Sequence, residues 1–188
     1  MTPGIRRFIA LAFLPLIGVA AQSGDAAAAA FERMVPVLHN PRCMNCHSSG
    51  DFPRQGDDSH RHTMQVRRGP DRHGVNAVRC STCHQDHNLA GIHMPPGAPE
   101  WGLPPPSMPM IWERLSDRRL CELLKDSARN GHRSVEQIVK HMSTPLVVWG
   151  WHPDDGRTPI AMPFAQFLAA VQAWAANGAG CPTETANR

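Results

Sequence analysis

Apolar positions gather at the two ends of the chain and thin out in the middle. Phe8 to Ala21 forms a 14-residue apolar run behind Arg6 and Arg7, and small residues follow it as far as Ala30. Phe31, Met34 or Val35, and Leu38 then recur at helical spacing, which predicts a short helix weakened by Pro36. Ser48 to Gly74 is rich in Gly, Asp, Arg and His and has no apolar period, so it reads as loop. Pro95 to Pro106 is too rich in proline for a helix and reads as a rigid extended segment wrapping the edge of a cofactor. A proline-motif ligand for a partner module is the competing reading of that segment.

The C-terminal third carries the regular helical signal. Ser116 can cap a helix running to about Asn130, with Leu120, Cys121, Leu123 and Leu124 on its apolar side and Gly131 as the stop. Ser134 with Gln137 resembles a capping box ahead of Val135, Ile138, Val139 and Met142, and Pro145 ends that stripe. A last helix is predicted from near Pro163 to Asn177 and Gly178, with Phe164, Phe167, Leu168, Val171 and Trp174 facing inward. With 18 Pro, 15 Gly and no Tyr, the chain is expected to be mainly α, short helices joined by long loops, with little or no sheet.

The basic start, the apolar run and the small residues after it read together as a secretory signal over residues 1–30, cleaved somewhere between Ala21 and Ala30. The run contains Pro15 and is too short to span a bilayer. A retained signal anchor is the alternative. Residues 31–188 then form one domain, and the expected location is a bacterial periplasm.

The chemistry lies in the loops. Cys43-Met44-Asn45-Cys46-His47 and Cys80-Ser81-Thr82-Cys83-His84 each have the form Cys-x-x-Cys-His. In c-type haem attachment the two thiols add across the haem vinyl groups and the adjacent histidine ligates the iron, so two motifs predict two covalently bound haems c. A zinc ribbon also pairs Cys-x-x-Cys knuckles, but about 15 to 20 residues apart. Here 33 residues separate Cys46 from Cys80, and a ribbon needs no histidine after both knuckles. A thioredoxin-like dithiol would open a helix in a βαβ unit, a pattern absent around either motif. Bound porphyrin would also supply apolar surface to a chain otherwise poor in core, so the haem-free protein is expected to fold poorly.

Six cysteines less four haem thiols leave Cys121 and Cys181, which are expected to pair in an oxidising compartment; two inert buried thiols are the alternative. Such a bridge would tie the C-terminal tail to the helices.

The iron ligands opposite His47 and His84 are open. Among the nine remaining histidines, His62 is the first candidate, because it can fold back over a haem from between the motifs, and His141 is the second, on one helical stripe with Ile138. Met110 is the main methionine rival, with His60, His87, His93, Met108 and Met162 weaker. A hydrogen-bonded core histidine competes with ligation at each histidine position. Trp149 and Trp151 can pack on a porphyrin face or simply fill core.

The formal charge is +3 with Arg6 and Arg7 included, so loss of the signal and addition of four haem carboxylates would bring the protein near neutrality or slightly below. The arginines are dispersed rather than clustered, which argues against nucleic acid. Arg67, Arg68, Arg72 and Arg79, between the motifs, are expected to pair with haem carboxylates.

Beyond the motifs, the chain resembles the diheme c-type cytochromes of the isoquinoline oxidoreductase-type subunit family, which accompany molybdenum hydroxylases. The resemblance rests on Gln55-Gly56-Asp57-Asp58, His62 with Val66-Arg67-Arg68-Gly69, Gln85 after the second motif, Pro96-Gly97-Ala98-Pro99-Glu100-Trp101, Leu120-Cys121 with Leu124-Lys125-Asp126, His141 and Trp149-Gly150-Trp151. It covers nearly all of the chain after the signal. The 37 residues from His47 to His84 are too few for two complete class I cytochrome domains, so one merged, compact diheme cytochrome c-like fold is expected.

The expected function is electron transfer between an oxidoreductase, such as a molybdenum hydroxylase, and downstream cytochromes or an oxidase, with no catalytic residues of its own. The alternative is a haem enzyme of the diheme peroxidase type, which needs one iron with an open axial position. Those enzymes are longer, with their motifs farther apart. A haem sensor is a third class, and the sequence carries no signalling domain to support it.

Overall fold

The computed structural model describes residues 17–154 and 156–184. The basic start of the expected signal and most of its apolar run lie outside the described residues. The first helix, α1, spans Ile17–Leu38, far longer than the stretch from Phe31 that the apolar spacing predicts. Ala26 to Ala30 explain the difference: a run of the strongest helix former reads equally well as the small-residue end of a signal and as helix. Pro36 is accommodated within the helix, close to its end. One face of α1 buries Ala27, Ala30, Phe31, Met34, Val37 and Leu38. These positions recur every three or four residues, the period of one helical stripe.

That stripe packs on the C-terminal helix α6, Phe164–Ala176, whose Phe167, Ala170, Val171 and Trp174 are buried. The Phe31 and Trp174 rings lie 5.9 Å apart and tilted. Each fully buried aromatic side chain of this kind contributes about 1.5–3 kcal/mol. Helix α3, Asp117–Lys125, adds Leu120, Leu123 and Leu124, and α4, Val135–His141, adds Ile138. Ser116 accepts the Arg119 N–H at the start of α3, and Ser134 and Gln137 make a reciprocal capping box at the start of α4.

Helix α3 stops five residues short of the expected Asn130. Asp126 accepts the Ala128 N–H and turns the chain, a local bond that competes with helix continuation. Asn130 is fully buried instead, its amide donating to the Leu124 carbonyl at 2.7 Å and the Arg133 carbonyl at 2.9 Å, which stitches the turn closed. Pro145 opens an element of its own: α4 ends at His141 with Met142 as its C-cap, and Pro145 is the first residue of the single-turn helix α5, Pro145–Val148, a position where its missing N–H costs nothing.

Cys121 and Cys181 form a disulfide, with Cα atoms 5.6 Å apart. The tail it secures is further held by Trp174 Nε1 and Lys125 Nζ, which donate to the Gly180 and Ala179 carbonyls at 3.1 Å each. Gly180 passes so close to α1 that a Cβ there would sit 2.9 Å from the Gly24 carbonyl oxygen, so only glycine fits.

Between α1 and α3 the chain is mostly irregular. It contains the one-turn helix α2, Pro41–Met44, and two minimal antiparallel pairs, β1 Arg54–Gln55 with β2 His60–Arg61 and β3 Gly74–Val75 with β4 Val78–Arg79. The described protein is therefore mainly helical with very little sheet. No described helix is long and apolar enough to cross a membrane.

Candidate cofactor site

Both Cys-x-x-Cys-His motifs fold into the same single turn. Asn40 accepts the Arg42 N–H and Pro41 opens α2, after which the Cys43 carbonyl accepts the N–H groups of Cys46 and His47, both at 3.2 Å. In the second motif the Cys80 carbonyl accepts those of Cys83 and His84 at 3.2 and 2.9 Å. One turn of this kind brings residues i, i+3 and i+4 to one side, so each motif presents two thiols and an imidazole together.

The two histidines are oriented alike. His47 Nδ1 lies 3.0 Å from the Met110 carbonyl oxygen, and His84 Nδ1 lies 2.7 Å from that of Pro96. A carbonyl can only accept, so each Nδ1 carries the proton and each Nε2 keeps its lone pair for a metal. His47 stacks on Trp112 with centroids 3.6 Å apart, and His84 stacks on Trp101 at 4.6 Å. Burial pushes the His47 imidazole down to about 4 and lowers His84 as well, which keeps both neutral, the ligating form. The proline-rich stretch and the residues after it thus supply the carbonyl and the indole at both histidines. Gly97 makes this possible at His84, because a side chain there would overlap the Gln85 and His87 carbonyls.

Each histidine faces a chamber. The chamber at His47, about 150 Å³, is lined by Cys43, Cys46, Met110, Trp112 and His141 among others. The chamber at His84, about 810 Å³, is lined by Cys46, Cys80, Cys83 and His62 among others, and its size is that of cofactor clefts, about 300–1,000 Å³. Arg42, Cys46, Trp101, Gly102, Leu103 and Trp149 line both, so the two chambers share a wall. The smaller one is of the size that holds a single aromatic ring. A macrocycle bound at His47 would therefore need the space along the common wall as well.

Burial pushes the Cys43 thiol up to about 12 and, with Cys80 nearby, the Cys46 thiol up to about 11. These are neutral thiols rather than ready thiolates. No three His, Cys, Asp or Glu side chains among the described residues converge as a metal cluster, so the two knuckles do not form a shared tetrahedral site. Two thiols per turn beside an imidazole with a free Nε2 fit a group that takes two covalent bonds and one metal bond, as haem c does.

The candidates for the opposite ligand separate clearly. His62 lies with its ring centroid 6.2 Å from that of His84, and its Nδ1 accepts the Met64 N–H at 3.4 Å; that tautomer puts the ring proton on Nε2, so binding a metal there requires the proton to leave Nε2 or the ring to turn. Two imidazoles sharing one metal at about 2.0 Å per bond have centroids about 6 Å apart. His141 lines the His47 chamber and is pushed down to about 4 by burial and by the charges of Arg133 and Arg72. Met110 lines the same chamber, but its carbonyl serves His47 Nδ1, on the side of the ring opposite Nε2, from a backbone at φ 46°.

Among the weaker candidates, His60 pairs with Asp58 at 2.6 Å and His93 sits exposed at the rim of the larger chamber. His87 is exposed and lines neither chamber. Met108 Sδ accepts the Gly131 N–H, and the Met162 carbonyl accepts the Trp151 indole N–H. The two tryptophans of Trp149-Gly150-Trp151 divide their roles. Trp149 stands on the common wall, its ring edge-on to Trp101 at 4.9 Å, whereas Trp151 packs in the core against Phe164 and Phe167.

The arginines between the motifs already have protein partners. Arg67 pairs with Asp51 at 2.8 Å, Arg72 with Glu100 at 3.1 Å and Arg79 with Asp71 at 2.7 Å, while buried Arg68 donates to the Gly50 and Pro104 carbonyls. Sequence reasoning passed over Trp112 and Arg42. Trp112 meets its histidine only through a contact 65 residues long, which no local spacing reveals, but Arg42 directly precedes Cys43, and that adjacency was a usable signal.

No protein-family model, curated protein or solved structure matches this chain.

Proposed function

We propose that this protein is an exported diheme c-type cytochrome that carries electrons between an oxidoreductase and downstream cytochromes or an oxidase in the periplasm. The observation that carries this reading is the duplicate construction of the two motifs. Each has the same one-turn coil, the same Nδ1 tether to a carbonyl, the same stacked indole and the same free Nε2 over a chamber. A zinc knuckle or a lone dithiol would have no use for the second half of that set.

Covalently held haem supplies a one-electron couple when bound. Cys43 and Cys46 would bond the haem at His47, and Cys80 and Cys83 the haem at His84. His47 and His84 would each give Nε2 to iron, held in line by the Met110 and Pro96 carbonyls, which also raise the basicity of the ring. His62 would take the far side at His84, and His141 the far side at His47, in place of Met110. Paired imidazoles favour a lower potential than a methionine partner would give. The wall common to both chambers would keep the two cofactors close, so an electron could enter at one and leave at the other. The resemblance to subunits that accompany molybdenum hydroxylases makes such a hydroxylase the electron donor of choice.

Spectra of the reduced and oxidised protein, with carbon monoxide and then peroxide added, test the reading. Two low-spin, six-coordinate irons that ignore both reagents are expected. Carbon monoxide binding or rapid peroxide turnover at one iron would overturn the pure-carrier reading in favour of a haem enzyme.

A further inference from the structure

The chamber at His47 has an unbalanced lining. Arg42, Arg72 and Arg133 all contribute to it, and no aspartate or glutamate does. The larger chamber, by contrast, has Asp57 and Asp58 among its own walls. Arg42 is paired with Asp57, and Arg72 with Glu100, but Arg133 has no carboxylate partner among the described residues. Its guanidinium is held over the backbone of the turn after α3, with Nη1 donating to the Asn130 carbonyl at 3.2 Å. Glycine at position 131 leaves the space that this pose needs, since a Cβ there would overlap the guanidinium.

A second, independent observation lies in the same chamber. Trp112 is 4 % exposed, and its indole N–H is buried without any acceptor. Buried donors are almost always satisfied, so an orphan of this kind needs a partner that arrives from outside the chain. An unpaired cation and an orphaned donor, in a chamber free of acids and otherwise largely apolar, are matched by one ligand chemistry, a carboxylate on an apolar body.

We propose that Arg133 and Trp112 form the receptor for a carboxylate of the haem bound at His47, with the guanidinium pairing with it and the indole N–H donating to it. This rests on the diheme reading above. It moves the carboxylate site away from Arg67, Arg72 and Arg79, whose charges are already met by Asp51, Glu100 and Asp71.

The test is the pH dependence of the two haem potentials in the intact holoprotein, after haem content has been counted. A count other than two per chain defeats the diheme reading itself, separately from the receptor. With two haems bound, both potentials in the wild type should stay level between about pH 5 and 8, because a paired carboxylate ionises at or below its ordinary range of about 4.3. In the Arg133→Gln, Trp112→Phe double variant one of the two potentials should fall as pH rises, because the stranded carboxylate titrates inside that window and its charge favours oxidised iron. Arg133→Lys should largely restore the level profile. Level profiles at both haems in the double variant would overturn the proposal, as would a wild-type potential that shifts on adding acetate or phosphate, which marks an exchangeable anion instead. If the double variant loses haem, a crystal structure of the wild-type holoprotein decides. A haem carboxylate oxygen within about 3.2 Å of Trp112 Nε1 is expected, and none within hydrogen-bond distance would overturn it.

Discussion

The His62 and His84 rings lie edge-on with their centres 6.2 Å apart, His84 Nδ1 donating to the Pro96 carbonyl and His62 Nδ1 accepting the Met64 N–H. They are 22 positions apart in the sequence; the pair β1–β2 ends just before His62, the pair β3–β4 turns the intervening loop just before the second motif, and both histidines line the larger chamber. Replacing His62 with alanine is expected to free one axial position, with a high-spin band and carbon monoxide binding at one iron of two. An unchanged low-spin spectrum would remove His62 from the ligand set. His141→Ala should do the same at the other iron, whereas Met110→Leu, which keeps the carbonyl used by His47, should leave the spectrum as it is.

The bridge between Cys121 and Cys181 closes a loop of 60 residues. In the chain-entropy model a loop of that length is stabilised by about 4 kcal/mol. The Cys121→Ser, Cys181→Ser double variant should lose stability of that order in a urea titration at equal haem content. A loss below about 1 kcal/mol would mean that the hydrogen bonds of Trp174 and Lys125 to the tail suffice without it.

Ala27 and Ala30 are fully buried on the α1 face that meets α6. Cleavage after Ala30 would strip both from the core, so on the reading of an exported protein any cut is expected before Gly24, as after Ala21. N-terminal sequencing of the protein recovered from cells checks this. A chain made to start at Phe31 should be less stable by about 1.5 kcal/mol or more, from the two lost methyl groups alone.

In the chain without a cofactor, His47 and His141 are both pushed down to about 4 by burial, against an ordinary value near 6.5. Between those values the unfolded chain binds more protons than the folded one, so folded stability is full above about pH 6.5 and falls as pH drops toward about 4. Urea titrations of the haem-free protein across this range should show the loss. On the proposed diheme reading, the haem-loaded protein should lose far less over the same range, because a proton at Nε2 would compete with a metal bond.

Local signals carried through to the structure where they rest on local bonds. The caps at Ser116 and Ser134, the helix Phe164–Ala176 and the non-helical proline segment all follow from residues within a turn of one another. The Cys121–Cys181 pair was legible by counting, because only two cysteines remain outside the motifs. What stayed illegible depends on distance or on ambiguous composition. Ala26 to Ala30 suit both a signal and a core helix, and only the Trp174 face across from them decides that they pack. Asp126 turns the chain at the end of α3 and Asn130 closes that turn through bonds to the Leu124 and Arg133 carbonyls, roles that an apolar stripe does not encode. The stacking of Trp112 on His47 and of Trp101 on His84 was hidden because the proline-rich segment had to be folded back over both motifs before either indole met its imidazole.

The central claim is that Cys43, Cys46, Cys80 and Cys83 hold two haems covalently, and the intact mass of the protein recovered from the periplasm of a cell competent in haem attachment tests it most directly. The account predicts a mass equal to the processed chain plus two haems, retained under denaturing acid, and one haem fewer when Cys43 and Cys46 or Cys80 and Cys83 are replaced by serine. A mass equal to the bare chain, with four thiols open to alkylation, would contradict it.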